Sequence, residues 1–225
     1  MKQYKNLPFI FSLIFLTFCY FSGIINYDIF TNSDVIYAQS LFRTIINKDS
    51  SIFDWHPSPS PYVIPDLLLY LAAYLIVFGK PMAAFYAYMI LQYFIYFFSL
   101  NFLLKKLDVK KYNEISGWCV FITAIFSTLY REYSISLVPL CHFGIYTLVL
   151  ISLGLIIDLQ SKKELLMLII LSTLSSYSDN MYVIWFSIPI FISYSIISLI
   201  KRNIKIIKTP ALLLISSFIG MKLSK

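Results

Sequence analysis

Long apolar runs alternate with short polar intervals along the whole chain. Eight runs stand out: Leu7–Ile25, Val63–Phe78, Met82–Leu104, Gly117–Tyr130, Cys141–Ile157, Leu165–Leu174, Tyr182–Ile200 and Ala211–Ile219. A helix needs about 20 apolar residues to cross a hydrocarbon core, and flanking Tyr and Trp at the interface extend the shorter runs toward that length. The pattern predicts an all-α fold, a polytopic transmembrane helix bundle of about 7 to 8 apolar segments in one membrane domain over residues 1–225. The first run has no small-x-small cleavage site, and Phe18 stands where a lipoprotein signal needs a small residue, so it reads as an uncleaved signal anchor.

The interval from Tyr27 to Tyr62 is long enough to hold structure of its own. Asn32-Ser33-Asp34 reads as a helix start, after which Val35, Ala38, Phe42 and Ile45 share one face and Ser40, Arg43 and Asn47 the other. This spacing predicts an interfacial amphipathic helix over about 33–47. Asp34 falls in its first turn, where backbone N–H groups and the helix dipole favour a carboxylate. The following Asp54-Trp55-His56-Pro57-Ser58-Pro59-Ser60-Pro61-Tyr62 places prolines at alternate positions, which imposes an extended, stiff path. Such an arm suits a binding wall carrying Asp54, Trp55, His56 and Tyr62, or simply a rigid approach to the next helix.

Composition narrows the class. Hydrophobic residues make up 59% and charged residues 13% of the 225, with 20 Phe and 18 Tyr, which excludes both an ordinary soluble domain and a disordered chain. Cys19, Cys119 and Cys141 are odd in number and form no C-x-x-C, so they read as small apolar residues. Gly-rich phosphate loops, H-E-x-x-H and G-x-S-x-G are absent from the sequence.

The net charge of +7 is a topology signal and not a nucleic-acid footprint, because the cations cluster between apolar runs. The clusters are Lys105, Lys106, Lys110 and Lys111, then Lys162 and Lys163, then Lys201, Arg202, Lys205 and Lys208. If all eight runs cross from a cytoplasmic N-terminus, twelve basic residues face outward against four inside, the reverse of the positive-inside rule. If Val63–Phe78 lies along the interface or dips in and returns, the count inverts to twelve inside and four outside. A rival with the N-terminus outside and all eight runs crossing gives the same count. Lys2 and Lys5 before the first run, with Asp28 and Asp34 after it, favour the cytoplasmic N-terminus.

In that topology one face collects the candidate chemistry. Seven of the eleven acids (Asp28, Asp34, Asp49, Asp54, Asp66, Glu132, Asp179) and both histidines, His56 and His142, open outward with Arg43, Lys48, Lys80 and Arg131. Taken singly these residues are ordinary. Asp179 in Tyr177-Ser178-Asp179-Asn180 suits a helix end, and His142 between Cys141 and Phe143 suits a hydrogen-bonded interface residue.

Together, the signal anchor, the long outer loop with Asn32-Ser33-Asp34, the amphipathic helix, and Trp55-His56-Pro57 leading through Tyr62 to Pro65-Asp66 resemble the GT-C superfamily of polytopic membrane glycosyltransferases. The resemblance covers roughly residues 1–200 and is densest from 27 to 80. It implies sugar transfer from a polyprenyl-phosphate donor to an acceptor on the extracytoplasmic face. Asp34 becomes the catalytic base or a metal-associated acid, and Asp179 the later outer acid. Lys80, Arg131, His56 and His142 become phosphate partners, and Trp55 and Tyr62 stacking surfaces for sugar. Asp34 stands alone, without the Asp-Glu or Asp-x-Asp pair of the superfamily, so a divalent cation stays open as the cofactor. Members are usually longer, so a truncated copy is expected. The implied partners are a lipid-linked sugar, membrane lipids and other membrane proteins, and the implied location is a bacterial inner membrane. A transporter or flippase and a noncatalytic membrane subunit are the alternatives. A transporter is expected to show Gly- or Pro-broken helices in corresponding halves, and the sequence shows no such internal symmetry.

Overall fold

The computed structural model describes residues 6–25, 27–30, 33–47, 61–157, 159 and 161–224. Among these the chain is all-helical, with nine α-helices and no strand. They are α1 (Leu7–Phe21), α2 (Ser33–Asn47), α3 (Leu68–Ile76), α4 (Pro81–Lys106), α5 (Tyr112–Leu129), α6 (Phe143–Ile157), α7 (Lys162–Ser178), α8 (Ile188–Ile200) and α9 (Lys208–Leu223). Each of the eight apolar runs falls on one of these helices, and α2 coincides with the amphipathic helix expected at 33–47. Of its apolar face, Ala38 and Phe42 are buried with Leu41, the Phe42 ring lying over Tyr70 and Tyr74 of α3, while Arg43 is exposed.

Length corrects the expected number of spans. Three helical stretches are long and apolar enough to cross a membrane by length and composition: Pro81–Lys106, Val183–Ile200 and Ile204–Leu223. Leu7–Phe21, Val63–Ile76 and Phe143–Ile157 are apolar but short. At about 1.5 Å per residue, a 15-residue helix such as α1 or α6 reaches only about 22 Å of a core about 30 Å thick. In α7, Lys162, Lys163 and Glu164 occupy the first turn, which Ser161 caps: its hydroxyl accepts from Glu164 N–H (3.1 Å) and its own N–H donates to the Glu164 carboxylate (2.9 Å).

The directions of the helices follow from their contacts. Phe9 stacks on Phe97 (4.1 Å), and Tyr20 O–H donates to the Met82 carbonyl (2.8 Å), so α1 and α4 are antiparallel. Gly117 abuts Pro8 and Phe9 while Phe121 meets Phe15, so α1 and α5 are parallel. Phe143 packs on Tyr96 and Gly154 on Phe102, which aligns α6 with α4. Tyr182 O–H lies within hydrogen-bond reach of Ser152 of α6 (2.6 Å) and Ser172 of α7 (3.2 Å), bridging that hairpin. Gly220 meets Thr173, pairing α9 with α7. Consequently the start of α1 and the three basic turns gather at one end of the bundle. The α3–α4 turn, the segment from Tyr130 to His142 and the turn after Ser178 gather at the other.

This arrangement bears on the two charge-equivalent topologies. Asp66, just before α3, lies against Tyr88, and within α3 Tyr70 lies against Phe85 and Tyr74 against Gly79. The Val63–Ile76 stretch therefore starts two turns down α4 and climbs back to the end where α4 begins. Because α1 runs antiparallel to α4, the start of α1 shares an end of the bundle with the lysine clusters.

Two of the helical stretches contain a π-helical turn, and in the first Ile64 also leaves helical geometry (φ −122°, ψ 127°). Val63–Leu67 and Val183–Ser187 are π-helical turns leading into α3 and α8, and both follow a Tyr in the sequence Tyr-Val-Ile. The apolar core has two parts: one from α1 to α5 with the 137–143 segment, and one from α6 to α9. Where these parts join, Tyr62 before the first π-turn and Trp185 within the second both lie beside the His142 ring.

Candidate functional site

At that junction the chain ends and restarts helices three times. Asp179 is the extended residue that closes α7, its N–H donating to the Ser175 carbonyl (2.8 Å). It also opens the next helix, because its Oδ1 accepts from Met181 N–H (3.0 Å) and its carbonyl from Tyr182 N–H (3.1 Å). His142 starts α6, its carbonyl accepting from Tyr146 N–H (3.2 Å). The π-turn of α3 is strapped to the end of α7, since Tyr62 N–H donates to the Ser178 carbonyl (2.9 Å) and Ile64 N–H to the Ser178 hydroxyl (2.8 Å).

These backbone devices bring together three of the residues singled out in the sequence. His142 Nδ1 lies 2.5 Å from Asp179 Oδ2, and Tyr62 O–H lies 3.3 Å from His142 Nε2. A carboxylate only accepts, so Nδ1 donates to Asp179, and Nε2 is the ring edge that faces the Tyr62 hydroxyl. Asp179 is 1% exposed, whereas a third of the His142 side chain is open. The buried acid fixes one ring edge and leaves the other accessible, the arrangement of an oriented general base. Trp185 and Tyr62 flank the imidazole, with ring centroids 6.5 and 5.3 Å away.

The backbone here is strained. Tyr62 (φ 49°), Leu140 (φ 62°) and His142 (φ 64°) are non-glycine residues in the left-handed region, a conformation costing about 1–2 kcal/mol per residue and concentrated at functional sites.

A fourth group was not among the residues assigned a site role in the sequence. Asp66 is 1% exposed; Tyr88 O–H donates to its Oδ1, and its Oδ2 has no hydrogen-bond partner. Gly144, two residues after His142, makes room for it: a Cβ there would lie 2.5 Å from Oδ2. Leaving a buried carboxyl oxygen unsatisfied costs about 1–3 kcal/mol or more. The available signal was a carboxyl inside an apolar run, which is a functional hypothesis by default in a membrane chain.

The other sequence candidates are placed differently. Lys80 is exposed in the α3–α4 turn, at the opposite end of α3 from His142. Asp34 sits in the first turn of α2 and Arg131 opens the 3-10 turn Arg131–Ser136, but their side chains lie outside the described residues. Asp54, Trp55 and His56 lie outside them altogether. For the divalent cation left open by the resemblance, no group of three His, Cys, Asp or Glu is placed to hold a metal among the described residues.

Comparison with protein-family models, with curated proteins and with solved structures gives no match in any of the three.

Proposed function

We propose that the chain is a membrane glycosyltransferase-like protein that moves a sugar from a polyprenyl-phosphate donor to an acceptor hydroxyl on the extracytoplasmic face. The observation that carries this reading is the His142–Asp179 pair, buried on the acid side and open on the imidazole side, at the end of the bundle opposite the basic turns. In the same reading every helix but α2 and α3 crosses a bacterial inner membrane, with the N-terminus and the lysine clusters in the cytoplasm. The short helices α1 and α6 do so through their interfacial flanks.

The step needs few groups. The acceptor O–H gives its proton to His142 Nε2 while its oxygen bonds the anomeric carbon. The anomeric C–O bond to phosphate breaks, and polyprenyl phosphate leaves with that electron pair. Phosphate is a stable anion at neutral pH, so the leaving group needs little protonation and the base dominates. Asp179 holds the ring and stabilises the imidazolium that forms. The resemblance makes Asp34 the base or a metal-associated acid and the geometry supports His142 as base, and single substitutions separate them: the base variant abolishes transfer, while the other only weakens it.

The broken helical geometry at Ile64, in the π-turn beside Tyr62, supplies a specific observation for a second reading, a transporter with a discontinuous helix at its site. Purified protein in liposomes distinguishes the two. Release of polyprenyl phosphate from a lipid-linked sugar supports the transferase, solute flux without bond cleavage supports the transporter, and inertness in both assays fits a noncatalytic subunit.

A further inference from the structure

The mechanism above leaves Asp66 without a task, yet two distant parts of the chain accommodate it. Tyr88, 22 positions away, holds one carboxyl oxygen, and residue 144 has no side chain where a Cβ would collide with the other. A buried Asp whose Oδ2 meets no donor lowers stability. A purely structural position would be served better by a residue satisfied on both sides. Its surroundings indicate what Oδ2 is for. Gly144 ties it to the start of α6, two residues from the open imidazole of His142. Tyr62, four residues before Asp66, reaches His142 Nε2, and Trp185 stands on the other side, 40% exposed. Acceptor atoms beside aromatic faces form a surface for an uncharged, hydroxyl-rich ring, whose O–H groups donate to carboxylates while its C–H face rests on aromatic side chains.

We infer that Asp66 is a ligand-contacting acid, whose Oδ2 accepts a hydrogen bond from a hydroxyl of a carbohydrate ring seated against Tyr62, His142 and Trp185. The ligand's identity as a carbohydrate rests on the transferase reading; the claim that Asp66 is kept for a ligand and not for the fold does not. That ring is either the sugar of the donor or a saccharide acceptor, and both offer the same hydroxyl chemistry.

Asp66→Asn tests this, because it keeps the shape and the Tyr88 hydrogen bond while removing the acidic acceptor. Thermal unfolding of wild type and variant in detergent gives the first arm. An unchanged or raised midpoint is expected, and a fall of 5 °C or more, or failure to fold, overturns the inference by making Asp66 structural (a threshold of roughly 1–2 kcal/mol). Polyprenyl-phosphate release from a polyprenyl-phosphate-linked hexose gives the second arm. A loss of about 100-fold or more in kcat/KM is expected, and a loss of less than threefold overturns the inference. A rise confined to the donor KM places the donor sugar on Asp66, and one confined to the acceptor KM places the acceptor there. If the wild type releases nothing, the transferase reading fails, and the thermal arm decides Asp66's role by itself.

Discussion

Gly144→Ala is the substitution whose consequence the structure fixes most tightly. The added Cβ would lie 2.5 Å from Asp66 Oδ2, 2.6 Å from Oδ1 and 2.7 Å from Cγ. All three are too close for a real contact, and the carboxyl cannot swing aside without losing the Tyr88 hydroxyl that holds it. Overpacking of this kind costs about 1–3 kcal/mol, offset by the gain of up to about 1 kcal/mol when Ala replaces Gly in a helix. In an Asp66→Ala background the obstruction is gone and only the helical gain remains. The coupling between the two positions is therefore about 1–3 kcal/mol. For a chain of this size that corresponds to a difference in thermal midpoint on the order of 6 °C between the effect of Gly144→Ala with and without Asp66. Thermal unfolding of the four proteins in one detergent completes the cycle. If Gly144→Ala shifts the midpoint equally in both backgrounds, the contact between the start of α6 and Asp66 is refuted.

Other predictions rest on independent parts of the fold. Asp179→Asn removes the charged partner of His142, and the loss of one charge-assisted hydrogen bond, about 1.5–3 kcal/mol, should appear as a lower unfolding midpoint and a drop in transfer rate of 10²-fold or more; unchanged transfer would take the pair out of the mechanism. Gly220→Ala drives a Cβ onto the Thr173 carbonyl oxygen and the Tyr177 nitrogen, both backbone atoms that cannot turn away, so it should destabilise by about 1–3 kcal/mol, read as a lower midpoint in the same assay. Cysteines introduced singly at positions 80 and 110 of a Cys-free background should differ toward a membrane-impermeant thiol reagent applied from outside: position 80 labels and position 110 does not. Equal labelling, or the reverse, overturns the orientation.

The sequence carried the fold further than it carried the site. Apolar runs report burial directly, so the helices were locatable, and the charge count singled out Val63–Phe78, whose residues Asp66, Tyr70 and Tyr74 pack along the first two turns of α4. Helix limits were less legible. Cys141–Ile157 reads as one run, but the left-handed residues Leu140 and His142 delay α6 until Phe143, and no periodicity announces positive φ in Leu or His. Conversely α7 begins before its apolar run because Ser161 and Glu164 form a capping box, a pattern visible in the sequence. At the site, Tyr62, His142 and Asp179 were each legible as outer-face polar residues. That they touch was not, since their separations of 80 and 37 positions are closed only by packing. Asp66 escaped a site role because its two neighbours, Tyr88 and Gly144, carry no chemical signature of their own. The sequence also showed no sign of the π-turns at Val63–Leu67 and Val183–Ser187, which depend on how Tyr62 is strapped to Ser178 and how Asp179 restarts a helix.

In the proposed mechanism the His142–Asp179 pair performs sugar transfer. The most direct test is the release of polyprenyl phosphate by purified protein in liposomes loaded with a polyprenyl-phosphate-linked sugar and acceptor, wild type beside His142→Gln. Steady release by the wild type is expected, with a loss of about 10²-fold or more in a variant that still folds. Equal release by both proteins, or none by the wild type while solute crosses the bilayer intact, would contradict the mechanism.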